Sequence, residues 1–306
     1  MAETLTHPHD PRLSVVIPSV NGLADLAGCL DALAVDARRT PLEALVVDRV
    51  GDALRQQVRA SYPWVRVLEA APGATIPQMR AQAFDAAVAP IVAVIEDHVQ
   101  VPPGWAEQML AAHARGEEVV GGAIVNAATE RLVDWAAFLC EYSQLLPPLP
   151  SGPVPSIAGN NTTYRRVLLD RFREATNAGR WEDHLHEVLR ENGIELYCHP
   201  EIEVGHKKHY TVWEYTSQRY LYARSFAGSR VRNRSLPQRA LYAAAAAVLL
   251  PPLLLARIVG RVWSRPPYRP MLLRSLPLLP LFVAAWSAGE VVGASLGPGD
   301  ALSRVC

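Results

Sequence analysis

Four cysteines in 306 residues, Cys29, Cys140, Cys198 and Cys306, lie far apart and form no C-x-x-C pair. That spacing argues against a zinc knuckle and a disulfide framework, and it suits a reducing compartment. Net charge is absent too, because 30 basic residues balance 30 acidic ones. Without an overall field nothing draws nucleic acid to the chain, and no nucleic-acid partner is expected. After the first apolar stretch, residues 13–17, the chain reads Pro-Ser-Val-Asn-Gly and shows no G-x-G-x-x-G, so a dinucleotide-binding turn is excluded. The opening dozen residues, with His7, His9 and Asp10, offer no apolar core for a signal peptide, which puts the N-terminal part on the cytoplasmic side. Past about Pro237 the acidic residues nearly vanish, and Ala, Leu, Pro and Arg dominate. The uncharged runs there, 240–256 and 275–289, fall short of the ~20 apolar residues that cross a bilayer upright.

What is present is an alternation of short apolar strands and helices. Strands are expected over 13–17, 44–48, 64–68, 91–95 and 119–125. Helices are expected over 23–33, 53–60, 76–88 and 104–113, the first with Leu23, Leu26, Leu30 and Leu33 on one face. This order is the signature of an α/β fold with a mostly parallel central sheet. The stretch Ile91-Val-Ala-Val-Ile-Glu-Asp-His98 stands out, since a β-branched buried strand ends there in three ligand-type side chains. Open α/β sheets gather ligands just beyond the carboxyl ends of their strands. Glu96, Asp97 and His98 are therefore candidate ligands for Mg²⁺ or Mn²⁺, ions that keep open positions for substrate phosphates. The same three residues would also make a plain solvated turn. Asp48 ends another strand, where it either caps the next helix or accepts from the hydroxyls of a bound nucleotide.

Several blocks together resemble the family 2 glycosyltransferases of the GT-A fold. Val15-Val-Ile-Pro-Ser-Val-Asn21 is similar to the family's first strand and turn, and Val46-Val-Asp48 to the strand whose acid touches the nucleotide. Arg80 lies where the family has an Ala-Arg-Asn helix. Glu96-Asp97-His98 stands in place of the metal-binding D-x-D, with Glu and His at its outer positions. Gly159-Asn-Asn-Thr-Thr-Tyr-Arg-Arg166 resembles the acceptor-side segment, and Trp181-Glu182-Asp183 the start of the helix carrying the catalytic base. The resemblance implies a nucleotide-diphosphate sugar bound by Pro18, Asn21, Asp48, Arg80, Glu96 and Asp97. It implies a metal held by Glu96, Asp97 and His98, with a returning His206, and a hydroxyl acceptor met by Asn160, Asn161 and Glu182.

The chemistry agrees with that assignment. A departing diphosphate builds negative charge that a divalent ion neutralises. An inverting transfer needs a base for the acceptor's proton, and Asp183 is the expected catalytic residue. A carboxylate at a helix start is also favoured by the free backbone N–H groups there. His184 and His186, two apart on one helix, point to different faces and are expected to pack or face solvent. Trp135, Trp181 and Trp213 suit either sugar stacking or the core.

Residues 1–236 are read as the GT-A domain and 237–306 as a C-terminal apolar helical hairpin. Pro251 and Pro252 break its first run, and Pro277 and Pro280 interrupt the second. The connection holds Arg257, Arg261, Arg265, Arg269 and Arg274, which positive-inside reasoning keeps on the cytoplasmic side. A re-entrant or interfacial hairpin is expected, and arginines 224, 230, 232, 234 and 239 are expected to meet anionic headgroups. The acceptor is expected to be lipid-linked or part of the cell envelope, with the catalytic domain on the cytoplasmic face of the cell membrane. Two rival readings stand beside this one. A nucleotidyltransferase would need a glycine-rich basic loop after the first strand, and residues 19–23 hold a single glycine and no charge. A degenerate, non-catalytic membrane scaffold is the other.

Overall fold

A computed structural model describes residues 5–7 and 9–305. The expectations placed on residues 1–4, on residue 8 and on Cys306 lie outside the described residues. In chain order the elements begin β1 (Leu13–Ser19), α1 (Leu23–Ala37), β2 (Leu42–Asp48), α2 (Asp52–Ser61), β3 (Val65–Glu69), α3 (Ile76–Ala86) and β4 (Ile91–Val94). They continue β5 (Val99–Gln100), α4 (Trp105–Ala114), β6 (Val119–Asn126), α5 (Leu132–Tyr142), β7 (Gly152–Val154), β8 (Thr162–Arg165), α6 (Arg166–Arg171), α7 (Arg173–Thr176) and α8 (Glu182–Glu191). The last are β9 (Leu196–His206), α9 (Val212–Arg230), α10 (Leu236–Val248), α11 (Leu250–Trp263), α12 (Arg269–Ser275) and α13 (Leu279–Leu296). The chain forms two units: residues up to 127 with 147–207, and 128–146 with the residues from 208 on.

The first unit is built on one sheet in the order β3-β2-β1-β4-β8-β6-β9-β5, with β7 paired to β9. Strands β3, β2, β1 and β4 are mutually parallel, as are β6 and β9. Both β1 and β2 are buried at every position, which is what continuous apolar runs covered on two faces produce. Helix α3 packs on β1 and β2, and its Met79 shares one buried cluster with Val16, Leu45, Val47 and Val94 and with Leu185 and Leu189 of α8. That packing sets Arg80 on α3 and Asp183 on α8. Strand β8 runs antiparallel between β4 and β6. It was not expected, because Thr-Thr-Tyr-Arg carries no apolar run. Its Thr163 is buried all the same, its hydroxyl 2.8 Å from His113 Nε2.

Helix α4 shows how a buried charge is accommodated. The carboxylate of Asp36, 1% exposed, accepts from the backbone N–H of Gly104 at 2.6 Å and of Ala106 at 2.7 Å. Those are orphan donors of a helix N-terminus, where negative charge is favoured.

The second unit is helical. A Cβ at Gly289 would lie 2.3 Å from the Tyr220 carbonyl oxygen, and one at Gly293 would lie 2.3 Å from that of Arg224. This glycine pair one turn apart lets the backbones of α9 and α13 touch. Glu290 between them is buried and accepts from Tyr242 Oη at 2.5 Å and Trp286 Nε1 at 3.1 Å. The prolines break the apolar runs as expected: α10 stops at Val248 just before Pro251, and Pro277 lies in the turn between α12 and α13. Pro251 and Pro280 then sit in the first turns of α11 and α13, where their missing N–H costs nothing. Helix α13, 18 residues, is long and apolar enough to cross a membrane, while α10 and α11 meet that test only as a pair bent by 50°.

Candidate active site

Strands β2, β1 and β4 lie side by side and parallel, so their carboxyl ends open along one edge of the sheet. Asp48 ends β2, fully buried. It accepts from Ser19 Oγ, the N–H groups of Val50 and Gly51, and Arg55, each at 3.1 Å. Its carboxylate closes the turn into α2. Pro18 lies within β1, opposite Val47. Just beyond it, Asn21 reaches across to β4's end: its Nδ2 donates to Asp97 Oδ1 at 2.7 Å. The backbone N–H groups of Val20 and Asn21 donate to Asp97 Oδ2 at 2.8 and 2.9 Å.

Asp97 Oδ1 also stands 3.0 Å from His98 Nδ1. A carboxylate behind one ring nitrogen fixes the tautomer and turns the other nitrogen outward. His98 Nε2 accordingly faces Glu96 Oε2 at 3.4 Å and His206 Nε2 at 2.9 Å. His206 arrives because β5, directly after His98, pairs antiparallel with β9 and sets Val99 opposite His206. Ligand atoms of Glu96, His98 and His206 all fall within 4.8 Å of one another. Of the four residues expected at a metal, these three converge, and Asp97 stands behind His98.

The donor set fits a divalent ion. Burial works against charge on His98, yet hydrogen bonds and the charges of Asp97 and Glu96 push its pKa up to about 10. Burial likewise opposes an ionised Glu96, but His98, Arg80 and His206 bring it down to about 2. A group that concentrates this much demand for positive charge, with two imidazoles and a carboxylate aimed at one point, suits a bound cation.

Arg80 joins this group to the next. It is buried, pairs with Glu182 at hydrogen-bond contact, and its second nitrogen lies 3.7 Å from Glu96 Oε1. Its guanidinium also sits 5.8 Å from the Trp181 ring centre. A Cβ on Gly159 would lie 1.9 Å from Glu182 Oε1, so the absence of a side chain there makes room for the carboxylate. Asn160 Nδ2 donates to Glu96 Oε2 at 2.8 Å. Asn161 is placed differently. It is fully buried, accepts from Trp105 Nε1 at 3.0 Å, and donates to the carbonyls of Ala123 and Ile202 at 3.1 and 2.8 Å. A small cleft beside Arg80 and Glu182 is walled by Phe84, Tyr164, Trp181 and Leu185.

Asp183 opens α8 with its side chain exposed, and its Oδ1 accepts from His184 N–H at 3.0 Å. Partial loss of water and the neighbouring Glu182 charge raise its pKa above the usual Asp value. The helix beneath is anchored by His186, buried, whose Nε2 meets Tyr164 Oη at 2.7 Å. Burial drives His186 down to about 4. The unfolded chain therefore takes up this proton first as pH falls. Stability present above about pH 6.5 is lost on the way down to pH 4, by about 3 kcal/mol for this residue. Urea unfolding of wild type and His186→Gln at pH 7 and pH 4.5 checks this. The stability gap between them should narrow in acid, and a gap independent of pH would contradict it.

Sequence reasoning placed Glu96, Asp97, His98, Arg80 and Glu182 in one region. It did not anticipate that Arg80 bridges Glu96 to Glu182, since those partners are far apart in the chain. Nor did it anticipate the hydrogen bond between Tyr164 and His186.

Three comparisons bear on identity. The sequence pattern of Glycosyl transferase family 2 matches residues 14–173, just over half the chain. Asp183 and His206 lie beyond that segment. A comparison with curated protein sequences finds no match. Among solved structures, the mannosyltransferase PcManGT from Pyrobaculum calidifontis, in complex with GDP-Man and Mn²⁺, is similar at 17% identity and TM-score 0.56, covering 94% of this chain and 88% of that one. TarS 1–349 of S. aureus in complex with UDP-GlcNAc is similar at 13% identity and TM-score 0.52, covering 92% and 91%. At these identities the likeness speaks to the fold, a GT-A architecture.

Proposed function

The chain belongs to glycosyl transferase family 2, and from that premise we propose that it is an inverting, cation-dependent enzyme. It moves a sugar from a nucleoside-diphosphate donor to a hydroxyl of a lipid-linked or cell-envelope acceptor. One observation carries this reading: Glu96, His98 and His206 converge at the mouth of the sheet, and Arg80 ties that group to the acids at the start of α8. PcManGT and TarS, the first with GDP-Man and Mn²⁺ and the second with UDP-GlcNAc, lend support to a nucleotide-sugar donor.

Glu96, His98 and His206 would hold the cation, and two imidazoles with one carboxylate suit Mn²⁺ better than the oxygen-seeking Mg²⁺. Bound there, the ion supplies a Lewis acid for the charge of the leaving diphosphate. The remaining work belongs to the chain. Asp97 keeps His98 in the tautomer that presents Nε2. Pro18, Asn21 and Asp48 shape the turns under the nucleotide, Asp48 through the hydrogen bonds that hold β2 to α2. Arg80 orients Glu96 and Glu182 and adds positive charge on the donor side. Asn160 and Glu182 meet the acceptor, and Asn161 fixes their segment from within the core. Asp183, exposed and more basic than an ordinary Asp, takes the acceptor's proton.

The catalytic part, up to residue 236, acts at the cytoplasmic face of the cell membrane, and residues 237–306 associate with the bilayer. Calorimetry with UDP and GDP, with and without Mn²⁺, tests the reading. Nucleotide binding that strengthens with Mn²⁺ supports it, and binding indifferent to the ion would favour a non-catalytic scaffold. A donor screen by product mass then names the sugar.

A further inference from the structure

Helices α11 and α12 carry exposed arginines that pair with no carboxylate among the described residues. Between Pro237 and Gly289 the sequence contains no Asp or Glu, but it has arginines at 239, 257, 261, 265, 269 and 274. The structure uses some of these internally. Arg239 donates to the carbonyls of Ala294 and Ser295 at 2.7 and 3.0 Å. Arg265 donates to the Leu146 carbonyl at 2.9 Å, and Arg269 to that of Trp263 at 2.7 Å. Arg257, Arg261 and Arg274 are exposed, and among the described residues no carboxylate forms an ion pair with them. The Arg261 guanidinium donates to Gln144 Oε1 at 3.3 Å.

Arg257 and Arg261 are one turn apart on α11, where like charges weaken an isolated helix. Such a pair is tolerated most readily when a counter-charge comes from outside. The same two helices expose Leu253 at 45%, Trp263 at 49% and Leu273 at 53%. The Arg269 guanidinium lies 5.1 Å from the Trp263 ring centre, so aromatic and cation share one level. Apolar side chains beside unpaired arginines, with a tryptophan at the boundary, match a lipid headgroup region in both polarity and charge. The arginines expected from sequence to meet headgroups are mostly engaged elsewhere. Arg224 Nε donates to the Gly297 carbonyl at 3.4 Å, and Arg230 pairs with buried Glu290 at 3.4 Å.

We propose that the exposed arginines of α11 and α12, Arg257, Arg261 and Arg274, bind the anionic headgroups of a phospholipid leaflet, with Trp263 and the neighbouring leucines seated at its apolar boundary. This rests on the reading that the helical unit meets a membrane, and it adds the charge of the lipid and the residues that read it.

The test is cosedimentation of the full chain, diluted from detergent, with vesicles of phosphatidylcholine alone and of phosphatidylcholine mixed with phosphatidylglycerol. Wild type should prefer the mixed vesicles and lose that preference in high salt. The triple variant Arg257→Gln, Arg261→Gln, Arg274→Gln should bind mixed vesicles about 100-fold more weakly, roughly fivefold per arginine, and bind neutral vesicles as wild type does. Unchanged circular dichroism would show that the exposed substitutions leave the fold intact. Equal wild-type binding to both vesicles, or a triple variant that keeps the preference, would overturn this inference and leave membrane association standing. Binding to neither would overturn both.

Discussion

Asp183→Asn is expected to lower turnover about 10³-fold while leaving nucleotide affinity nearly unchanged. The reasoning starts from where the two acids of α8 stand. Glu182 is committed to Arg80 and lies against the Gly159 backbone. Asp183 is exposed, and among the described residues its side chain accepts one hydrogen bond, from its own neighbour His184. A general base must reach the acceptor with a lone pair free, and of the two only Asp183 has one uncommitted. Lost water and the Glu182 charge raise its pKa, which improves it as a base. The sign of the pH effect follows. The reaction needs the ionised carboxylate, so the rate is full above the raised pKa and falls as pH drops through it. The acid limb of kcat should therefore lie above the usual Asp range. Glu182→Gln should behave differently: with Arg80 released, KM for the acceptor should rise more than kcat falls. Steady-state kinetics with the identified donor, across pH, measures both. Turnover of folded Asp183→Asn equal to wild type would remove Asp183 from the mechanism.

The strands that build the sheet's parallel half were readable because each is a short, mostly apolar and β-branched run with punctuation on both sides. The 91–95 run and the ligand residues after it follow directly in the chain, so their adjacency needed no tertiary information. The antiparallel insertion was not readable. Thr162–Arg165 is polar, and it is stable in the core only because Thr163 and Tyr164 find His113 and His186. Strand β9 mixes charge, proline and histidine, and its apolar positions alternate too irregularly to mark a strand. The orientation of side chains was hidden as well. Asn161 sits in a turn whose amides would serve a sugar, yet Trp105 and two carbonyls claim it from inside. Of the two readings open to Asp48 in sequence, the structure displays the local one: its buried oxygens are taken by Ser19, Arg55 and the N–H groups of Val50 and Gly51 in the turn before α2. Arg80 and Glu182 are separated by 102 residues, and nothing local to either announces the other.

Removing His206 should uncouple nucleotide binding from the cation. In wild type, Mn²⁺ should tighten UDP or GDP binding, and in His206→Ala that gain should shrink about 100-fold. His206 is 108 residues from His98, held opposite Val99 by β5–β9 pairing, and its Nε2 closes the group that Glu96 and His98 begin. Two remaining ligands leave the ion bound mostly by water, and a water-bound ion passes little of its affinity on to a diphosphate. Asp97→Asn should give a smaller loss of the same kind, about tenfold, because it frees the His98 ring without removing a ligand. The order of the two effects carries the argument: a larger loss from His206 than from Asp97 means that His206 ligates and Asp97 orients. Calorimetry of each variant with and without Mn²⁺ reads the coupling directly, and without the ion His206→Ala should bind nucleotide as wild type does. Wild-type coupling in His206→Ala would place the cation elsewhere on the chain.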